Sequence, residues 1–288
     1  MPDAEAQEID EIRGRSGVTL SRFIQETARE AGHILRERYY DQGAVESKGR
    51  GNIVSEVDVA SERLISRRVY DEFPGFSFLG EETGERPGDA GWQWITDPVD
   101  GTRNYVSHYP MFCIMVSLAR RGRVVAAGTY DPLRDEMFYA QVGHGATLNG
   151  QPIGVSESPK RVQECVVGMD LSYIEPLGER ALRAIYEIWP GVQAVRIPGS
   201  IGLAMAYLAA GRFDLYFCPG GNAWDIAAGS LLIPEAGGVA TDRNGAPISL
   251  PSEGVVAGNA DVHADFMRIT KDMPLRSEPH LTKQSEKE

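Results

Sequence analysis

The stretch Trp92-Gln93-Trp94-Ile95-Thr96-Asp97-Pro98-Val99-Asp100-Gly101-Thr102 runs from an apolar, aromatic strand pattern straight into two aspartates three residues apart. Trp, Ile and Thr suit a pleated, half-buried strand, and the Asp-Pro and Asp-Gly pairs end it. Asp97 and Asp100 leave that rigid strand end close together, with Pro98 fixing the backbone between them, so both carboxylates can be aimed at one point. Hard divalent cations take such oxygen ligands. Gly101-Thr102 adds bare backbone N–H groups beside them. If a helix starts there, those donors and the positive end of its dipole hold an anion such as phosphate. Taken alone the stretch is ambiguous, because Asp-Pro and Asp-Gly also fill ordinary turns.

Two further acidic elements weigh toward a site. Upstream, Gly80-Glu81-Glu82 follows an apolar run; downstream, Asn222-Ala223-Trp224-Asp225-Ile226-Ala227-Ala228-Gly229 opens an apolar, helix-like stretch with one Asp. A carboxylate buried in that setting without a cation is costly.

Composition narrows the class. With 288 residues and 42% hydrophobic content, the chain can bury a full core as one large domain or two smaller ones. A formal net charge of -12 argues against sequence-independent nucleic-acid binding, which runs on Lys/Arg neutralisation of phosphates. An acidic protein acting on a phosphate ester needs cations as intermediaries. Cys113, Cys165 and Cys218 are odd in number and lack Cys-x-x-Cys spacing, so they read as reduced thiols. The five histidines form no His-x-x-x-His pair, which disfavours a soft-metal site. Apolar stretches such as Met111 to Ala119 are too short to span a bilayer, and Met1-Pro2-Asp3-Ala4-Glu5 is acidic where a secretory signal would be basic. The expectation is a cytoplasmic protein with no membrane contact.

Along the chain, residues 1–16 and 271–288 are polar and charged and read as mobile tails. Residues 17–150 read as an α+β half. Leu20, Phe23, Ile24, Ala28, Ala31, Ile34 and Leu35 recur at helical spacing, with Thr19 placed to cap the start. A second helix runs from about Val57 to Tyr70. Strand-like segments follow at 76–79, 92–95, 111–118, 124–130 and 136–141, predicting a largely antiparallel sheet. Residues 151–270 read as an α/β half, with strands at 165–170, 195–197, 213–217 and 238–241 alternating with helices at 180–188, 202–210 and 225–236.

In order and spacing, Gly80-Glu81-Glu82, then Asp97-Pro98-Val99-Asp100-Gly101-Thr102, then Trp224-Asp225 with Glu235-Ala236-Gly237-Gly238, resemble the inositol monophosphatase family of magnesium-dependent sugar-phosphate phosphatases. The likeness runs from about Leu20 to about Ile269. It implies a layered α-β-α-β-α sandwich of the inositol monophosphatase/fructose-bisphosphatase type, with the site between the halves. It also implies two or three Mg2+ ions held by Glu81, Asp97, the Val99 carbonyl, Asp100 and Asp225, and catalysis through Thr102, Glu81 and the residue at position 52. Gly101 and Thr102 amides would hold the phosphate, while Ser200, Cys218 and Asp225 would face the sugar ring, and Lys48 matches a lysine near the metal loop. The implied reaction is hydrolysis of inositol monophosphate. A 3'(2'),5'-bisphosphate nucleotidase, a sugar-bisphosphate phosphatase and a catalytically weak binding or regulatory homologue are the alternatives. A homodimer and lithium sensitivity are further implications.

Two departures from the family pattern stand out. Asn52-Ile53-Val54-Ser55-Glu56-Val57-Asp58 carries Asn where the family commonly carries an Asp expected to pair with the later threonine. An amide orients a water but cannot take its proton. Metal activation alone suffices, or Glu56 substitutes, or turnover is slow; the first is favoured, since lowering a water's pKa is the metal's own contribution. At Cys218 a thiol stands where a Glu commonly accepts ring hydroxyls, which puts inositol selectivity in doubt.

Overall fold

The computed structural model describes residues 4–276 except 50–51, 173–174, 251 and 253, and describes the backbone alone at 4, 48–49, 52, 89–90 and 175. The chain opens with α1 (Ala4–Asp10) and α2 (Leu20–Glu37), a hairpin of β1 (Val45–Gly49) and β2 (Asn52–Ser55), and α3 (Glu56–Glu72). Next come β3 (Phe76–Gly80), β4 (Gly84–Arg86), β5 (Asp89–Asp100), the short α4 (Thr102–Val106), β6 (Cys113–Arg120), β7 (Arg123–Asp131), β8 (Glu136–Gln141), β9 (Ala146–Leu148) and β10 (Gln151–Pro152). The second half holds β11 (Val166–Met169), α5 (Glu175–Ile188), β12 (Ala194–Arg196), α6 (Ile201–Ala209), β13 (Leu215–Cys218), α7 (Ala223–Glu235), β14 (Val239–Thr241), β15 (Val255–Gly258) and α8 (Ala260–Ile269).

Among the described residues, β3 to β10 form one eight-stranded sheet in the order β10-β9-β8-β7-β6-β5-β3-β4, antiparallel except where β3 runs parallel to β5. A five-stranded sheet in the order β12-β11-β13-β15-β14 forms the second half. α2 and α3 pack on one face of the larger sheet, α6 and α7 fill the space between the two sheets, and α5 and α8 cover the outer face of the smaller one. This is the expected α-β-α-β-α sandwich. Strands β6 and β7 are buried almost throughout, as a sheet covered on both faces requires. The Thr19 hydroxyl caps α2, accepting from the Arg22 amide at 3.3 Å. Ser55 and Asp58 close a capping box at the start of α3.

The structure corrects both tails. Residues 4–10 form a helix whose Ala6 and Ile9 are wholly buried, pinned outside by Glu5–Arg123 and Glu8–Arg120 ion pairs. Residues 274–276 form a 3-10 turn that buries Leu275, while 277–288 lie outside the described residues. β10, just past the boundary expected at 150, pairs with β9 of the first sheet.

Candidate active site

The floor of the site is built into β5, the strand sandwiched between β3 and β6. Its ladder with β6 slips between Asp97, opposite Met115, and Asp100, opposite Cys113. That bulge absorbs the extra residue and turns both aspartates toward α6 and α7. The Val99 amide donates to Asp97 Oδ1 at 3.0 Å, and the Ser61 hydroxyl to the Pro98 carbonyl at 3.1 Å, so the turn is fixed from both sides. Asp225, at the third position of α7, accepts the Asn222 amide at 2.6 Å. The carboxylates of Asp97, Asp100 and Asp225 each offer an oxygen within 4.8 Å of the others.

Electrostatics follow from that crowding. Burial, then repulsion from Glu81, Asp100 and Asp225, pushes the Asp97 carboxyl well above the ordinary carboxylate range. Burial and then Asp100 push Asp225 up to about 7. Asp100 is raised by burial, against hydrogen bonds that favour its charge: the Ser200 hydroxyl and the amides of Gly202 (2.9 Å) and Leu203 (3.4 Å), all on Oδ2. The Cys113 thiol, 3.5 Å away, is pushed far up by burial and stays a protonated donor. Buried, mutually repelling oxygen ligands of this kind fit a hard divalent cation, whose charge would remove the penalty of ionising them together.

Thr102 stands beside the floor at the start of α4, after Gly101 at φ +89°. Its hydroxyl lies 2.9 Å from Asp58 Oδ1 and 3.0 Å from the Val99 carbonyl. Thr102 thus meets the Asp58 carboxylate, while the side chains of Asn52 and Lys48 lie outside the described residues. Glu56 does not substitute: its carboxylate is turned to the Ala44 amide and Arg38, each at 3.2 Å. Asp58 is sealed from solvent, and its other oxygen accepts the Ser55 amide at 2.9 Å. The residue was visible in sequence as the far end of the Ser55-x-x-Asp58 capping box, but that signal announces a helix start and says nothing of a second role.

Two positioning groups had no sequence reading. Glu62, one turn beyond Asp58 on α3 and wholly buried, accepts the amides of Glu82 at 2.9 Å and Thr83 at 2.7 Å and so fixes the turn that carries Glu81. A Cβ at position 80 would lie 2.6 Å from that carboxylate, which is why glycine precedes Glu81. Asn104 aims its amide at the carbonyls of Met111, Pro198 and Gly199 (2.6, 2.8 and 3.1 Å), tying α4 to the segment before α6.

Glu81, Asp97, Val99, Asp100, Gly101, Thr102 and Asp225 together line a cleft of about 310 Å³. Two expected substrate contacts are not open to it. Ser200 is buried and spends its hydroxyl on Asp100. Cys218 is buried and donates its thiol to the Gly220 carbonyl at 2.8 Å, as a small apolar side chain would pack. The wall of the cleft is lined instead by Asp170, Ser172, Asn222 and Arg103.

This fold is shared with solved structures. The extragenic suppressor protein suhB from Bartonella henselae superposes with a TM-score of 0.82 at 32% identity, over 86% of this chain and 96% of that one. The sequence profile of the inositol monophosphatase family matches residues 18–273. Inositol monophosphatase 1 of Solanum lycopersicum is 35% identical over 84% of this chain and 91% of its own length. Inositol-1-monophosphatase of Mesorhizobium japonicum is 36% identical over 88% of this chain and 96% of its own length. A layered sandwich carrying this cleft is a phosphomonoester hydrolase. The chain belongs to the inositol monophosphatase family.

Proposed function

We propose that the protein hydrolyses small phosphomonoesters with Mg2+, inositol monophosphate foremost, and that Glu81, Asp97, the Val99 carbonyl, Asp100 and Asp225 hold the metal. The convergence of the Asp97, Asp100 and Asp225 carboxylates at one buried point beside Thr102 carries this reading. Bound there, the cation supplies charge neutralisation and lowers the pKa of a water. The chain's own residues do the rest. With its proton engaged by Asp58, the Thr102 oxygen is left as an acceptor that orients the attacking water toward phosphorus. Amides in the unpaired first turn of α4 lie against the same cleft and support the phosphate oxygens. Glu62 and the Ser200–Asp100 bond hold two of the carboxylates in place, so little reorganisation accompanies the reaction.

A binding protein that has lost hydrolysis was recommended by Asn52 alone. The Asp58 carboxylate that meets Thr102 supports the hydrolase reading over that alternative. Phosphate release from inositol 1-phosphate with Mg2+ and with chelator tests the reading. Asp100→Asn is expected to lower turnover at least about a thousandfold with an unchanged circular dichroism spectrum; a wild type no faster than this variant would overturn the proposal. A cytoplasmic homodimer is part of the same reading, and sedimentation of the purified protein checks the assembly.

A further inference from the structure

Asp170 follows β11, at the end of the strand that faces the cleft. It lines the cleft although only 4% of its surface is exposed. Oδ1 accepts the Gly199 amide at 2.6 Å and Oδ2 the phenol of the wholly buried Tyr216 at 2.8 Å. A carboxylate offers about four lone-pair sites, so two bonds leave room for more, and Asp170 can only accept while ionised. Burial pushes it up to about 7, against those two bonds. It lines the same cleft as Asp97, Asp100 and Asp225, together with Leu171, Ser172, Gly220, Gly221 and Asn222. Cys218, two residues past Tyr216, faces its own loop and offers the cleft no acceptor.

We infer that Asp170, held by Tyr216 and Gly199, is a specificity-determining residue that accepts hydrogen bonds from hydroxyl groups on the non-reacting part of the substrate. This deepens the proposed function and rests on it: the preferred esters are polyhydroxylated, and a second phosphate against this wall is repelled. Ester hydroxyls are the fitting donors because the wall presents an acceptor carboxylate already oriented by two bonds, next to small polar groups. An apolar ester group laid there would leave that carboxylate desolvated and short of partners, which is costly.

The test compares inositol 1-phosphate with p-nitrophenyl phosphate, which has no free hydroxyl on its leaving group, in wild type, Asp170→Asn and Asp170→Ala. KM for inositol 1-phosphate is expected to rise about 10- to 100-fold, the range for one charge-assisted hydrogen bond, while kcat/KM for p-nitrophenyl phosphate stays within twofold. Equal losses on both substrates would overturn the inference, since they would mark Asp170 as a support for Gly199 alone. No change on either substrate would overturn it too. Tyr216→Phe, which keeps the carboxylate and its Gly199 bond but removes one of the two bonds that orient it, is expected to lose a smaller part of the preference than Asp170→Asn, and a loss on both substrates alike would mark disturbed packing. Calorimetric titration of inositol 1-phosphate in Ca2+ reads the contact without turnover. If wild type hydrolyses neither ester, the proposed function fails; weakened calorimetric binding by Asp170→Asn would still support the contact, and unaltered binding would overturn it.

Discussion

At the scale of single residues, the Asp58–Thr102 pair is the part of the site that spacing alone conceals. Residues 52 and 58 bracket one short turn into a helix, and both could reach forward. Only the fold decides that the buried Asp58 faces Thr102 at 2.9 Å. Asp58→Asn and Thr102→Val are each expected to lower kcat about 10²-fold or more, and the double variant to lose scarcely more than either single one, because the two act as a unit. Asn52→Asp, by contrast, is expected to change kcat less than threefold in the same assay, the outcome opposite to a missing base at position 52. The floor carboxylates were legible in the sequence because Asp-Pro-x-Asp-Gly-Thr after an aromatic strand restricts where two side chains can go. Ser200 and Cys218 were misread because exposure, not residue type, separates a substrate contact from a buried prop, and exposure depends on elements distant in sequence.

At the scale of elements, α3 links the site together. Its first turn carries Asp58 to Thr102 and its second carries Glu62 to the turn holding Glu81. Glu62→Ala is expected to weaken apparent Mg2+ affinity about 10- to 100-fold in a metal titration of activity, with kcat at saturating metal less affected, as for residues that orient ligands without binding the ion. Long periodic elements were readable: α2 begins at Leu20 as its apolar spacing and Thr19 cap predict, and β8 spans Glu136–Gln141 as expected. β5 was read short because Asp-Pro and Asp-Gly are poor strand sequences; the bulge opposite β6 lets the ladder continue through them. α1 reads as a tail in sequence because, among its described side chains, only Ala6 and Ile9 become core, too few for a periodic signal, and its surface ion pairs join residues more than a hundred positions apart. The docking of that helix is a tertiary fact without a local signature.

At the scale of the whole molecule, the acidic cleft couples stability to protons and metal. In the folded, metal-free chain Asp170 and Asp225 are raised to about 7, against ordinary values near 4. A raised folded pKa means the folded chain binds protons more tightly than the unfolded one. That contribution is full below about pH 4 and is lost as pH rises toward 7. In chelator, carboxylate repulsion is therefore expected to lower the unfolding midpoint between pH 5 and 8. Mg2+ at saturating concentration should raise it again by mass action, with the larger gain at pH 8. Thermal unfolding across pH with and without metal checks this, and a midpoint indifferent to Mg2+ at pH 8 would contradict the assigned cation site. Among the described residues no helix is long and apolar enough to cross a membrane.

The placement of Asp97 and Asp100 on β5 separates the cleft into parts with different freedom. Their strand lies inside the eight-stranded sheet, whereas 170–172, 199–200 and 220–222 are connecting segments at the edge of the second half. Amides of the central strand open only when the fold opens, while connecting segments open locally and tolerate substitution. Over generations, then, the wall can be rewritten residue by residue to admit a different alcohol, while the reaction itself stays anchored in a strand that no small change can shift without unmaking the protein.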